Sequence, residues 1–151
     1  MSEPLAYHIT WRTYGTWLPG DERRWVKHKT LGIREGNIPI ESHAKKMMTQ
    51  DAVTLDESQR AIVEATIREH CRIRGWTLHA LNVRSNHVHL VVSAPIHPDQ
   101  VMNQFKAWCS RRLNEATEKP PAKWWAIHGS TKWINDERYL EEAIRYVQEG
   151  Q

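Results

Sequence analysis

Cysteine is nearly absent: Cys71 and Cys109 are the only two in 151 residues. Both fall inside apolar patterns of helical spacing, where a thiol serves as a small hydrophobe, so a disulfide scaffold is excluded. No stretch approaches the ~18 consecutive apolar residues of a membrane span, and Met1-Ser2-Glu3-Pro4 has no signal-peptide pattern. A reducing cytoplasm is therefore the expected compartment. Paired carboxylates, glycine-rich phosphate loops, Cys-x-x-Cys pairs, internal repeats and low-complexity segments are also missing, which argues against a nucleotide-hydrolysing motor. Phenylalanine occurs once, against eight tryptophans and nine histidines. That imbalance raises stacking, metal binding and proton transfer as questions. The net charge of +3 and pI near 9.0 permit an anionic partner without identifying one.

A chain of this length fits one domain, 1–151, with enough core to fold without a staple. Residues 5–13 alternate Tyr7, Ile9 and Trp11 with Ala6, His8, Thr10 and Arg12, which predicts a strand. Gly15, Pro19 and Gly20 then break the chain. Residues 14–55 show no strong period and carry Lys27, His28, Lys29, Arg34, Lys45 and Lys46, so they are expected to form a long basic loop or insertion. Asp56 and Gln59 form a capping box ahead of the apolar stripe Val63-Ile67-Cys71, which predicts a helix to Arg74, closed by Gly75. Residues 76–84 and 87–94 are strand-forming, with Ser85-Asn86 as the hairpin turn. Pro98 suits the first position of a second helix, whose buried face is Met102, Phe105, Cys109 and Leu113. Residues 123–134 read as a strand or a bent pair of strands, and 136–150 as a terminal helix capped by Asp136. The order β-α-β-β-α-β plus a helix predicts an α+β, ferredoxin-like split β-α-β fold: an antiparallel sheet with two helices on one face. Such a fold by itself assigns no function.

The sharpest local feature is Asn86-His87-Val88-His89-Leu90-Val91-Val92. On a strand, His87 and His89 share one face while Val88, Leu90 and Val92 cover the core on the other. Two residues of rise separate the histidine backbones by roughly 6.6 Å, a span that two imidazoles can close onto one ion. Two histidines leave a metal site incomplete, so a third ligand or a substrate oxygen is needed. An isolated His-x-His is otherwise an ordinary half-exposed pair. On the terminal helix, Leu140, Ala143, Ile144 and Val147 form the packing stripe, and Tyr139 and Tyr146 lie together on its flank. Either tyrosine is a boundary residue with a wet hydroxyl, or a nucleophile reaching the histidine face. A phenol of pKa near 10 needs a polarised phosphate to attack at neutral pH.

The segment 86–92 resembles the His-hydrophobic-His ("HUH") strand of the single-tyrosine transposases of small bacterial insertion sequences and their REP-associated tyrosine transposase relatives. Support comes from Tyr7-His8-Ile9-Thr10-Trp11-Arg12 with Gly15-Thr16-Trp17-Leu18-Pro19-Gly20-Asp21, from Val101-Met102-Asn103-Gln104-Phe105-Lys106, and from the ending 139–151. The resemblance implies that His87 and His89 bind Mg²⁺ or Mn²⁺ and that Tyr146 is the catalytic tyrosine, with Tyr139 as fallback. The implied reaction is nicking and joining of single-stranded, hairpin-forming DNA through a 5′-phosphotyrosine. Some members use a Gln four residues after the tyrosine as a further ligand. Here that position is Gly150, which leaves Gln151 or Gln148 for the role. The resemblance further implies a bacterial, nucleoid-associated protein acting as a monomer or homodimer. Its rivals are a non-cleaving nucleic-acid-binding module and a small metallohydrolase.

Arg12, Arg23, Arg24, Lys27 and Lys29 are the expected phosphate contacts, and Trp17 and Trp25 the expected stacking platforms. The remaining candidates for stacking, Trp11, Trp124, Trp125 and Trp133, are expected to be chiefly structural. His8, His79 and His128 are expected to be satisfied core or edge residues.

Overall fold

Alternation along the first strand separates two environments. Tyr7, Ile9 and Trp11 are buried, while His8, Thr10 and Arg12 between them are half-buried on the other side. The computed structural model describes residues 4–16 and 50–149 of the chain. Its elements are β1 (Ala6–Thr13), α1 (Glu57–Arg74), β2 (Thr77–Val83), β3 (His87–Ser93), α2 (Pro98–Ala116), β4 (Trp125–Ile134) and α3 (Glu137–Gln148). The four strands form one sheet in the order β2-β3-β1-β4, and every neighbouring pair is antiparallel. This is the expected split arrangement: β3 lies between β1 and β2, the two strands that α1 connects.

Local signals act where the sequence places them. The capping box is formed in both directions, with Asp56 Oδ1 accepting from Gln59 N at 2.8 Å and Gln59 Oε1 accepting from Asp56 N at 2.9 Å. Gly75 closes α1 with φ of +76°, a conformation that a Cβ disfavours. Pro98 opens α2, with His97 as its N-cap. The main core lies between the helix pair and one sheet face, from Ile9, Trp11, Val88, Leu90 and Val92 to Val63, Ile67, Phe105, Cys109 and Leu113. Both cysteines are buried and free, and burial pushes the Cys71 thiol up to about 11.

The third helix covers the opposite sheet face. Ala6, Ala80, Val91 and Ile134 meet Ala143 and Val147 there, with Leu140, Ile144 and Tyr139 packed around them. Alanine on both partners allows the helix to approach the sheet closely. Within residues 123–134 there is one strand, Trp125–Ile134, rather than two. The bend expected there is a slip in its pairing with β1, between Trp11 and Thr13. Of residues 14–55, the described ends are tied together: Val53 N donates to Tyr14 O at 2.8 Å, and Val53 and Leu55 are buried. The rest of that segment lies outside the described residues.

Gly129 marks a close approach. A Cβ there would lie 2.5 Å from Met102 Sδ and 2.6 Å from the Thr10 carbonyl oxygen. Met102 is flexible but the Thr10 backbone is not. Gly129→Ala should therefore destabilise the fold by about 1–3 kcal/mol, the usual cost of overpacking. Gly75→Ala, with nothing within 4 Å, should cost only about 1–2 kcal/mol of left-handed strain. Urea denaturation of the two variants checks both. An unchanged midpoint for Gly129→Ala would show that β1 and β4 can separate there without loss.

Candidate active site

Strand pairing brings the histidines together. On β3, His87 and His89 project to the face covered by α3, since Val88, Leu90 and Val92 are in the opposite core. In register on β1, Arg12 is opposite His87 and Thr10 opposite His89; on β2, Asn82 is opposite His89. The His87 and His89 ring centroids are 5.2 Å apart. His8 stands diagonally across on β1, its ring centroid 6.5 Å from that of His89.

Tyr146 completes the group. Its ring is edge-on to His8 at 5.8 Å and to His89 at 5.9 Å, and the residue is half exposed. The adjacent turn of α3 is pinned to the sheet by Asn82, whose side-chain amide donates to the Val147 carbonyl oxygen at 2.9 Å. That bond satisfies one of the carbonyls that a helix end leaves open, and its donor stands opposite His89. Tyr139, seven residues earlier, packs instead beside the small apolar cluster under α3. The structure thus separates two tyrosines that helical spacing left equivalent.

The imidazoles are held neutral. Burial, followed by the charges of Arg12 and Arg84, lowers the His87 pKa below its ordinary 6.5. Burial and then Lys132 lower that of His8. His89 is 1% exposed, and burial, followed by His87, His8 and Arg84, brings it down to about 4. At neutral pH each ring therefore keeps a lone pair, the form that binds a metal ion or accepts a proton. The Nε2 atoms of His89 and His8 are buried without a hydrogen-bond partner among the described residues. An orphaned buried nitrogen is costly, and the core indole Nε1 of Trp11 is orphaned in the same way; what distinguishes the histidines is that their two orphaned nitrogens belong to neighbouring rings. The His87–His89 pair fits a divalent cation as two ligands. Among the described residues no group of three His, Cys, Asp or Glu side chains could hold one.

Other sequence-predicted site residues are distributed unevenly. Arg12 lies on the histidine face, opposite His87. Gln148 is exposed at the end of α3. Trp17, Arg23, Arg24, Trp25, Lys27, Lys29 and Gln151 lie outside the described residues. Trp11 and Trp124 are core residues, whereas Trp133 is exposed. His79 is satisfied, bonded through Nε2 to Ser93 Oγ at 2.8 Å. His8 departs from the expectation of a satisfied residue. Its even position beside Thr10 and Arg12 already placed it on their face, but only the β1–β3 register reveals its neighbours.

Two measurements follow from this geometry. A histidine whose folded pKa lies below its unfolded value binds protons preferentially in the unfolded state, so stability is lost as pH falls. For His89 in metal-free protein, the loss should develop between pH 6.5 and about 4. In His89→Gln that part of the slope should vanish, as followed by denaturant midpoints across the range. Asn82→Ala should cost about 0.5–1.5 kcal/mol and raise amide exchange in the last turn of α3, with α1 unchanged. Equal exchange there in both proteins would remove Asn82 as an anchor.

Comparison with known proteins adds three findings. The family model described as "Transposase IS200 like" matches residues 44–149. A structure of the REP-associated tyrosine transposase bound to a REP hairpin has a TM-score of 0.56 at 10% identity, covering 97% of this chain and 66% of that one. A crystal structure of a candidate transposase from Deinococcus radiodurans R1 has a TM-score of 0.48 at 17% identity, covering 98% of this chain and 94% of that one. No curated protein matches the sequence.

Proposed function

The chain belongs to the IS200-like transposase family, and we propose that it nicks and rejoins single-stranded DNA through a covalent 5′-phosphotyrosine on Tyr146. The observation that carries this reading is the placement of the Tyr146 ring within 6 Å of the centroids of both His89 and His8. A half-exposed phenol beside neutral imidazoles is accessible to a phosphodiester and close to the groups that would activate it. Its hydroxyl oxygen attacks phosphorus, the bond to the 3′ oxygen breaks, and the phenolic proton is lost as the 3′ oxygen gains one. The free 3′-OH can later attack the phosphotyrosine, so the strand is rejoined without an external energy source.

His87 and His89 are the residues that would hold Mg²⁺ or Mn²⁺, with Gln148, Gln151 or a substrate oxygen as the further ligand. When bound, such an ion supplies Lewis-acid polarisation of the scissile phosphate. Asn82 limits where the tyrosine can go by fixing the last turn of α3. Arg12 and Lys132 are placed to offer positive charge along the same sheet face, since each faces a histidine closely enough to lower its pKa. The REP-associated relative is bound to a DNA hairpin, which supports a hairpin-forming single strand as the substrate. One chain brings its own tyrosine to its own histidines, which supports action in cis, by a monomer or by each copy of a homodimer. No helix among the described residues is long and apolar enough to cross a membrane, and the nucleoid of a bacterial cytoplasm is the compartment that suits the reaction.

Incubation with hairpin-bearing single-stranded DNA and Mn²⁺, followed by a denaturing gel, tests the proposal. A covalent adduct should form, survive in Tyr139→Phe, and disappear in Tyr146→Phe. His87→Ala and His89→Ala should each lower its rate at least 100-fold, and chelation should do the same. Binding without an adduct would favour a non-cleaving nucleic-acid module. Cleavage without an adduct would favour a metallohydrolase. An adduct persisting in Tyr146→Phe would overturn the assignment of the nucleophile.

A further inference from the structure

A histidine that ligates through one ring nitrogen carries its proton on the other, and the group accepting that proton selects the tautomer and the ring orientation. Free neutral imidazole favours the proton on Nε2. His87 has an acceptor for the opposite form: its Nδ1 lies 2.9 Å from the side-chain oxygen of Asn86, the preceding residue in the β2–β3 turn. That is the one hydrogen-bond partner of the Asn86 side chain among the described residues.

The turn is well anchored, and its anchors do not involve the Asn86 side chain. Thr13 N donates to the Asn86 backbone carbonyl at 3.0 Å. The Thr13 and Thr16 hydroxyls approach the same oxygen at 3.3 Å. Each hydroxyl has a shorter acceptor, Val53 O at 2.6 Å and Thr13 O at 2.8 Å, so the backbone bond is the firm one. On either side, Leu55 N donates to Ser85 O and Arg84 N to His87 O, both at 2.8 Å. Thr13 thus holds the Asn86 backbone directly, while Leu55 and the hairpin's own Arg84–His87 bond steady the residues on either side, which leaves the Asn86 amide group to act on His87.

We propose that Asn86 is a positioning residue whose side-chain carbonyl holds His87 as the Nδ1–H tautomer, freeing Nε2 as the donor atom on the face shared with His89. The metal-binding consequence rests on the reading of His87 as a ligand given above; the tautomer itself does not. The amide oxygen suits this role because it accepts without adding charge beside the neighbouring rings. The adjacency is as short as sequence allows, so a rigid turn is required for the contact to orient the ring, and β1 supplies that rigidity through Thr13.

Long-range ¹H–¹⁵N correlation of ring-labelled, metal-free protein at pH 8 reads the tautomer directly. The wild-type chain should show His87 protonated at Nδ1, Asn86→Ala should shift it towards Nε2–H, and Asn86→Asp, which keeps an acceptor oxygen, should restore Nδ1–H. Calorimetric titration with Mn²⁺ should show affinity falling about 10–100-fold in Asn86→Ala and recovering in Asn86→Asp. A purely structural role would change stability without changing the tautomer. Nε2–H in the wild-type protein, or an unchanged tautomer in Asn86→Ala, overturns the proposal, and the wild-type spectrum decides it should Asn86→Ala fail to fold. If the tautomer responds as stated but the wild-type protein takes up no Mn²⁺, the metal reading fails and the positioning role of Asn86 stands.

Discussion

Antiparallel pairing of β1 with β3 is the constraint on which the candidate site depends. It sets Thr10 opposite His89 and Arg12 opposite His87, and because side chains alternate, it sends Ile9, Trp11, Leu90 and Val92 together into the core. A slip of one residue on either strand would exchange the faces, exposing the core set and burying the polar one. The apolar packing that stabilises the sheet therefore also enforces the register of the histidines. Stability and site geometry are not independent properties of this fold.

The third helix covers part of the histidine-bearing sheet face and sets Tyr146 beside His8 and His89. Its apolar contact sets Ala143 and Val147 against Ala6, Ala80, Val91 and Ile134, and Asn82 adds a side-chain bond at its end. An attachment of this kind is firm enough to place Tyr146 and limited enough to leave the phenol half exposed. The same covering desolvates His8 and His89, which keeps them neutral in a protein of positive net charge. Arg12, Arg84 and Lys132 push in the same direction, because cations nearby oppose a further proton. Burial first, and the nearby cations after it, thus keep the histidines unprotonated.

Much of this is legible in the sequence. The alternation of residues 5–13, the capping box at Asp56 and Gln59, Gly75 and Pro98 are local signals, and each specifies an element through contacts only a few residues apart. The His-hydrophobic-His spacing likewise guarantees that His87 and His89 share a face. His8 departs from the expected satisfied residue for a physical reason. A single histidine on a strand carries no information about which strand will lie beside it, and its two ring neighbours are about 80 and 140 positions away in sequence. Helical spacing alone does not distinguish Tyr139 from Tyr146, because a spacing of seven places both on one flank of a helix; the resemblance of the ending is what names Tyr146.

The sequence by itself determined the order of elements, the two faces of the first strand and of the histidine-bearing strand, and the pair of imidazoles that can act together. All of these follow from periodicity and from interactions within a few residues. Only the tertiary structure decided which sheet face α3 covers, that His8 joins His89 and Tyr146, and that Asn82 anchors the tyrosine-bearing turn. Those outcomes depend on strand register and helix docking, which join residues remote in the chain and have no local signature.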